Sequence, residues 1–502
     1  MTEQAPHASL SGTVARGVTI ATAGSILSKA LTLAMYVVLA RLAHPETFGT
    51  FAEASVLVWF GALFVESGMT AALIHRADRI EEAASTALLS TLATGTALSL
   101  LAAATAPLIG LYFHSHEVTI VAAALAGLHL LNAATVVPEA MFQRRFSFIR
   151  RTVVDPLSVV AYGTSAAIGL AYGLGVWALA LGVYASELVR VALDWALCEW
   201  RPQIRRASWQ MWRELAGYAR HVFTGEFLRQ SGGVLNTALI GRFLGRADLA
   251  QYNFGFRLAT EASAPIFTAV SFVLFPALAR ISAEKERFGK AVLQSYRFAC
   301  FVIFPVSLIL FSLGEPLAVL LLGERWRAAG SVVSALAAVG AALSLRAISS
   351  EVFKASGNPQ RLPRIYLLSA VLPALAVLGG IHFGLVTIAA GVSAAFAVVA
   401  VYATTVATRI AGIAPGELVR ALAPSALASA AMTAVLYPLE HLVVHSADRG
   451  TAQGFSLLTA EVMLGAAVYL AVVYLIDPAL ARGFFHNIRT AWKRRAIPKP
   501  AG

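Results

Sequence analysis

Fourteen apolar stretches run through this chain of 502 residues, and together they leave room for little else. Read from break to break they are 14–40, 47–75, 84–113, 117–142, 152–172, 175–198, 214–240, 248–279, 290–313, 328–353, 364–383, 385–408, 417–440 and 453–477. A helix that crosses a bilayer needs about 20 predominantly apolar residues, and these stretches supply that length. The expectation is an all-α polytopic membrane protein with about 14 transmembrane helices. A further apolar stretch, 315–322, is bounded so tightly by Glu315, Pro316 and Gly323 that it reads as an interfacial helix. Only a Gly384 turn separates 364–383 from 385–408.

Composition excludes the other classes. Charged residues make up 13% of the chain, where a soluble domain carries roughly 25%. The alternation at about 10-residue spacing that marks an outer-membrane barrel is absent. A net charge of +12 would suggest nucleic acid in a soluble protein, but here the basic residues cluster in short loops. The tail residues Arg489, Lys493, Arg494, Arg495 and Lys499 read as a topology anchor or an anionic-lipid patch. The first apolar run is too long for a cleaved signal peptide and reads as a retained first helix. Cys198 and Cys300 fall near cytoplasmic helix ends, where no disulfide is expected.

Orientation follows from the same charges. With the N-terminus cytoplasmic, 26 Lys and Arg fall on the cytoplasmic side, 6 on the periplasmic side and 7 within spans, of 39 in all. A bias that alternates loop by loop requires an even number of spans with both termini inside.

The chain also repeats itself. RLAHPETFGTFA at 41–52 aligns without gaps on RFLGRADLAQYN at 242–253, an offset of 201. GVWALALG at 175–182 matches GLVTIAAG at 384–391, an offset of 209, and Phe142 and Phe353 start matching loops. These pairs place the first span on the seventh and the sixth on the twelfth, a parallel repeat of six spans. The expected organisation is an N-terminal lobe at 1–213, a C-terminal lobe at 214–416, and 417–502 carrying spans 13 and 14 and the basic tail. Transporters of such design bind cargo near the midplane between their halves.

The motifs carry a resemblance. ARLAHPETFGTFA with Glu66–Ser67–Gly68 (40–68), MFQRRFSF (141–148), GLGVWALALG (173–182), LIGRFLGRADLAQYNFGFRLAT (239–260), VLFPALARI (273–281), GERW (323–326) and SGNP (356–359) occur in an order and spacing spread over most of the first twelve spans. In these the chain resembles the polysaccharide-transporter, Wzx-type branch of the multidrug/oligosaccharidyl-lipid/polysaccharide exporter superfamily. The resemblance implies an alternating-access flippase in the cell inner membrane for oligosaccharide linked to undecaprenyl diphosphate. It also implies membrane lipids and polysaccharide polymerase machinery as partners, no cofactor, and no nucleic acid.

Against that background the charges at membrane depth matter, because each costs at least about 2.5–3.5 kcal/mol to insert. Lys29, Arg229 and Arg257 lie deep in the first, seventh and eighth spans, and Arg346 lies nearer the cytoplasmic end of the tenth. An anionic cargo would be bound by such cations. The competing reading is self-neutralisation, because Glu226–Arg229 are i,i+3 and Arg257–Glu261 are i,i+4. Glu187, Arg190 and Asp194 on span six read as an intrahelical ion triad. Glu66 and Asp155 are coupling-ion candidates, since a buried carboxyl can carry protons. Asp155 before Pro156 could equally cap span five. Glu461, in a helix outside the repeat, reads as peripheral. Gly232–Gly233 and the many prolines offer places to bend.

Two rival functions remain. A cation-coupled drug or metabolite exporter of the same superfamily would prefer an anionic or neutral cavity, against Lys29, Arg229 and Arg257. A membrane glycan ligase or acyltransferase would need a large periplasmic loop with catalytic residues, and no loop is long enough. No GxxxxGK[ST], HExxH or GxSxG occurs, and no metal-ligand spacing either. The charge alternation makes a direct prediction. Reporter fusions at Arg287 and Arg449 will report opposite sides of the membrane, and equal readings would end the topology.

Overall fold

The computed structural model describes residues 10–66, 68–76, 78–145, 150–263, 274–480 and 482. Ser67, Phe146–Ser147–Phe148 of the MFQRRFSF motif, Pro265 and the five tail cations named above lie outside the described residues. Every regular element among the described residues is a helix. The chain forms two compact units, Met1–Ala250 and Gln251–Gly502.

The first unit opens with α1 (Leu10–Leu42), α2 (Pro45–Ala54), α3 (Val56–Glu66) and α4 (Met69–His75). Pro45 fixes the start of α2, and the chain turns by 119° between α1 and α2. Next come α5 (Ile80–Tyr112), α6 (His116–Leu125), α7 (Leu128–Arg144), α8 (Asp155–Ala171), α9 (Val176–Leu197) and α10 (Trp209–Leu244). Ser115 and Ser208 cap α6 and α10 by accepting from the amides of Val118 and Met211. Two apolar cores lie at opposite ends of α5. One gathers Ala83, Ala87, Val137, Met141, Phe142 and Met211, the other Ala106, Val118, Val121, Leu125 and Val176. Although α10 begins close to the lobe boundary expected at 213, it packs on α3, α4 and α5, so the compact units divide only after Ala250.

The helix α11 (Arg246–Glu261) leads into the second unit, where a helical stretch covers 274–281. There follow α12 (Lys285–Leu322), α13 (Arg327–Ala335), α14 (Ala337–Ala355), α15 (Leu362–Gly380), α16 (Leu385–Ile410), α17 (Pro415–Leu439) and α18 (Thr451–Ile476). Within this unit α17 and α18 pack on α12, where Met432, Leu436, Val473 and Tyr469 bury Phe301.

Among the described residues nine helices are long and apolar enough to cross a membrane, or up to eleven if two bent helix pairs each make one span. The three expected spans outside that count are 47–75, 214–240 and 248–279. The first is divided among α2, α3 and α4, and the other two correspond to the charged helices α10 and α11. One expectation is corrected. Residues 315–322 are not a separate interfacial helix but the last part of α12, which continues through Pro305 and Pro316 for 38 residues. The extension is buried: Leu320 packs with Leu313 and Leu458, and Gly454 lets α18 lie against it. Likewise α10 passes through Gly232–Gly233 as one helix.

The helix boundaries reproduce the sequence repeat. Pro45 and Arg246 start α2 and α11, 201 residues apart, which is the offset of the aligned motif. Val176 and Leu385 start α9 and α16, 209 apart, each after a glycine of positive φ, Gly175 at +54° and Gly384 at +87°. Span four is the broken pair α6–α7 and span ten the broken pair α13–α14, with first residues His116 and Arg327 and last residues Arg144 and Ala355, both 211 apart. Phe142 and Phe353 are buried at equivalent places.

The α2 helix touches the chain where α10 gives way to α11. A Cβ on Gly49 would stand 2.0 Å from the Arg246 carbonyl oxygen. Gly49→Ala will therefore lower the stability of the purified protein by about 1–3 kcal/mol, as overpacking does. Gly217→Ala, where a Cβ meets nothing within 4 Å, will not. Thermal unfolding in detergent compares them, and equal midpoints would refute this close approach.

Candidate functional site

The candidate residues are placed by the faces on which their helices pack. On α10, Phe223 and Phe227 interlock with Phe60 and Phe64 of α3, with ring centroids 5.0 to 6.1 Å apart. At about 100° per residue, Arg229 lies roughly 200° around the helix from Phe227, away from that seam. It is half-exposed. Its guanidinium forks onto Glu226, with Nε 2.8 Å from Oε2 and a terminal nitrogen on Oε1. Gln230 donates to the same carboxylate at 2.6 Å. The self-neutralising pair read from the sequence therefore exists.

Arg257 lies on α11, where different contacts hold the helix. Gly255 is the tight contact there: a Cβ on it would stand 2.6 Å from Val332 of α13. Phe254 meets Trp326 at 4.1 Å. Arg257 is half-buried, two residues beyond Gly255 and three beyond Phe254, which places it about 60° around the helix from Phe254.

The other candidates fall differently. Lys29 is exposed on α1, which packs on α8 two turns later through Met35 against Gly163 and Tyr36 against Tyr162. Arg346 of α14 covers the Tyr366 ring at 5.6 Å, and Arg364 covers Tyr402 at 5.5 Å. The neighbouring Glu351 is bound by Lys354 at 3.0 Å. Asp155 is the first residue of α8, followed by Pro156, as a helix-start residue would be. Glu66 ends α3, and its side chain lies outside the described part. Lys29 and Arg229 thus belong to the first unit, Arg257 and Arg346 to the second. On α9, Arg190 meets Glu187 at 3.0 Å and Asp194 is fully buried.

Sequence reading missed three features. Glu53, almost fully buried, faces Arg246 at 3.5 Å, and Arg246 also reaches Glu117 at 3.2 Å and the Ser115 hydroxyl. Both Glu53 and Arg246 stand next to or within the aligned repeat, a signal that position alone offered. His129 is fully buried, its ring in the space left by Gly61. Glu461 is not peripheral: it is 4% exposed and accepts from the Ser446 hydroxyl at 3.4 Å, while Glu440 accepts from the Ser446 amide. In the second unit, Arg327 gathers Glu315, Glu324 and Asp448 at 2.5 to 2.8 Å, tying the α17–α18 loop to α12.

Nine to eleven apolar helices of spanning length among the described residues, with breaks that match at the repeat offsets, define a multi-pass membrane protein. The fold is similar to that of a solved lipid II flippase MurJ in an inward closed conformation, with a TM-score of 0.75 at 14% identity, covering 92% of this chain and 99% of that one. An inward-facing multidrug resistance MATE family transporter follows at a TM-score of 0.62, again at 14% identity, covering 78% and 98%. Residues 38–331 match the polysaccharide biosynthesis protein family, and residues 224–451 match the lipid II flippase MurJ family. The chain belongs to the polysaccharide biosynthesis protein family, on its Wzx-type branch. It is 25% identical over 326 residues to the succinoglycan biosynthesis transport protein ExoT of Rhizobium meliloti (strain 1021), covering 62% of this chain and 64% of that protein. It is 24% identical over 301 residues to the teichuronic acid biosynthesis protein TuaB of Bacillus subtilis (strain 168), covering 60% and 62%. The match thus spans less than two thirds of either relative's length.

The Glu53–Arg246 pair yields a test. Removing one partner leaves a buried charge alone, which costs about 3–5 kcal/mol for a fully buried pair, and less here because Arg246 is a third exposed. Arg246→Ala will destabilise the purified protein, and adding Glu53→Gln will restore part of the loss. Additive losses in this double-mutant cycle would mean that the two side chains do not interact.

Proposed function

We propose that this protein is an alternating-access flippase that carries polyprenyl-diphosphate-linked oligosaccharide across the cell inner membrane for surface polysaccharide biosynthesis. Its termini are cytoplasmic, and its two repeat lobes, 1–213 and 214–416, work against each other around the cargo. The observation that carries this function is the pair of permanently charged arginines, Arg229, half-exposed and turned from the α3 seam, and Arg257, half-buried on α11. Membership of a polysaccharide biosynthesis family and likeness to a succinoglycan biosynthesis transport protein and a teichuronic acid biosynthesis protein support it.

The chemistry follows from charge and hydration. Two phosphates that enter a water-poor cavity lose hydration, and a buried charge without a partner costs several kcal/mol. Arginine replaces that hydration with a planar fork of donors that fits phosphate oxygens. In the structure Glu226 occupies the fork of Arg229. Cargo binding exchanges one anion for another, and release returns the guanidinium to Glu226. Lys29 and Arg346 are secondary contacts. Glu66 and Asp155 are the coupling-ion residues in this scheme.

Deleting the gene in a strain without a redundant transporter will leave lipid-linked oligosaccharide on the cytoplasmic leaflet. Normal surface polysaccharide in that strain would refute the function. Arg229→Ala and Arg257→Ala will each abolish transport, measured by glycan reaching the periplasmic face, while protein level and membrane insertion hold. Lysine at either site will rescue only partly, because it keeps the charge and loses the fork. Normal transport by both alanine variants would make the arginines structural.

A further inference from the structure

The link between α9 and α10 carries a surface that the proposed transport scheme leaves unassigned. Residues 200–213 are strapped along the start of α5 by side-chain hydrogen bonds. Trp200 donates to Glu81 at 3.2 Å, and the amides of Gln203 and Ser208 donate to Ser85 and Thr86, each at 3.1 Å. The Ser208 hydroxyl reaches Glu82 at 2.6 Å, and Trp212 donates to Ser90 at 3.0 Å. The strap is therefore held in shape before anything binds it.

Its outer side combines apolar and cationic groups. Ile204 and Trp209 are 61% and 69% exposed, and Trp209 stacks on Trp212 at 4.3 Å. Arg205, Arg206 and Arg213 are exposed beside them. The acids nearby are already engaged. Glu214 holds Arg76 and Arg79, Glu82 faces Arg79 and Ser208, Glu81 accepts from Trp200, and Glu199 is paired with Arg145. Arg201 folds back on the carbonyls of Cys198 and Trp200. Three exposed arginines remain at the end of an apolar helix of spanning length, Arg206 lining a recess with Arg79, Glu81 and Glu82, next to an aromatic pair of the kind that settles at headgroup level. A cationic surface at that depth complements the anionic headgroups of a lipid leaflet.

We infer that the 200–213 strap is a binding site for anionic phospholipid headgroups of the cytoplasmic leaflet. The site rests on the proposed orientation, not on the cargo. Full-length protein in nanodiscs of phosphatidylcholine tests it, doped with brominated phosphatidylglycerol or with the same fraction of brominated phosphatidylcholine. The brominated phosphatidylglycerol will quench tryptophan fluorescence more strongly, and Trp209→Phe will remove most of the difference. Substituting glutamine for Arg205, Arg206 and Arg213 together will weaken the preference by about fivefold per arginine, and Arg206→Gln alone by about fivefold. The preference will also fall as salt rises.

Equal quenching by the two lipids would overturn the site, as would a preference unchanged in the triple variant. Lost transport with the lipid preference intact would overturn it too, and would give these arginines to the cargo. Both nanodisc leaflets have one composition, so these outcomes do not depend on orientation. A reporter fusion at Arg206 on the periplasmic side would overturn the leaflet assignment alone.

Discussion

The cost of an unpaired polar group in hydrocarbon governs this structure. Each backbone amide and carbonyl there must be bonded within its own helix, and each charge must find a partner or an aqueous cavity. The first demand accounts for an architecture made of helices alone among the described residues. The second accounts for where charge is allowed. It gathers on α10 and α11, at helix ends, and at the clasps around Arg246 and Arg327.

Both clasps close one arginine over several acids. Arg246 stands at the first residue of α11, where the repeat places the counterpart of Pro45. Arg327 stands at the first residue of α13, where the repeat places the counterpart of His116. The breaks that the repeat conserves are thus the places where helix ends leave amides free and where charges collect. A broken helix costs backbone hydrogen bonds in lipid, so it persists only where side chains or neighbouring elements replace them. Ser115 does so at α6, and the Arg246 guanidinium reaches the same hydroxyl.

Much of this was legible in the sequence, for a physical reason. Apolar length and glycine placement are local properties, so most of the span boundaries, the Gly384 turn and the repeat offsets were readable from the chain. The Glu226–Arg229 pair was readable because both partners share a helix turn. Four things were not. Nothing local distinguishes 315–322 as the end of a longer helix, because its burial comes from Leu458 and Gly454, more than 130 residues on. The Glu53–Arg246 pair joins residues 193 apart, and the partner of Glu461 sits on a different helix. The cation–π cover of Arg346 on Tyr366 is likewise a contact between helices, which helical periodicity does not encode.

On the proposed function, the placement of Arg229 bears on how a charge at membrane depth can be both stable and usable. A fully buried ion pair is strongly held, and breaking it costs several kcal/mol. An exposed one contributes little. Glu226 and Arg229 lie between those limits, at 41% and 48% side-chain exposure. The pair neutralises the helix for insertion, yet its fork remains reachable by a competing anion of higher charge. Phe223 and Phe227 fix the opposite side of α10 on α3, so an exchange of partners at Arg229 does not require α10 to leave its seat. On the proposed function, a diphosphate gains a fork already oriented and displaces a single carboxylate. Binding energy is then limited to the difference between two anions, which keeps the cargo releasable on the far side.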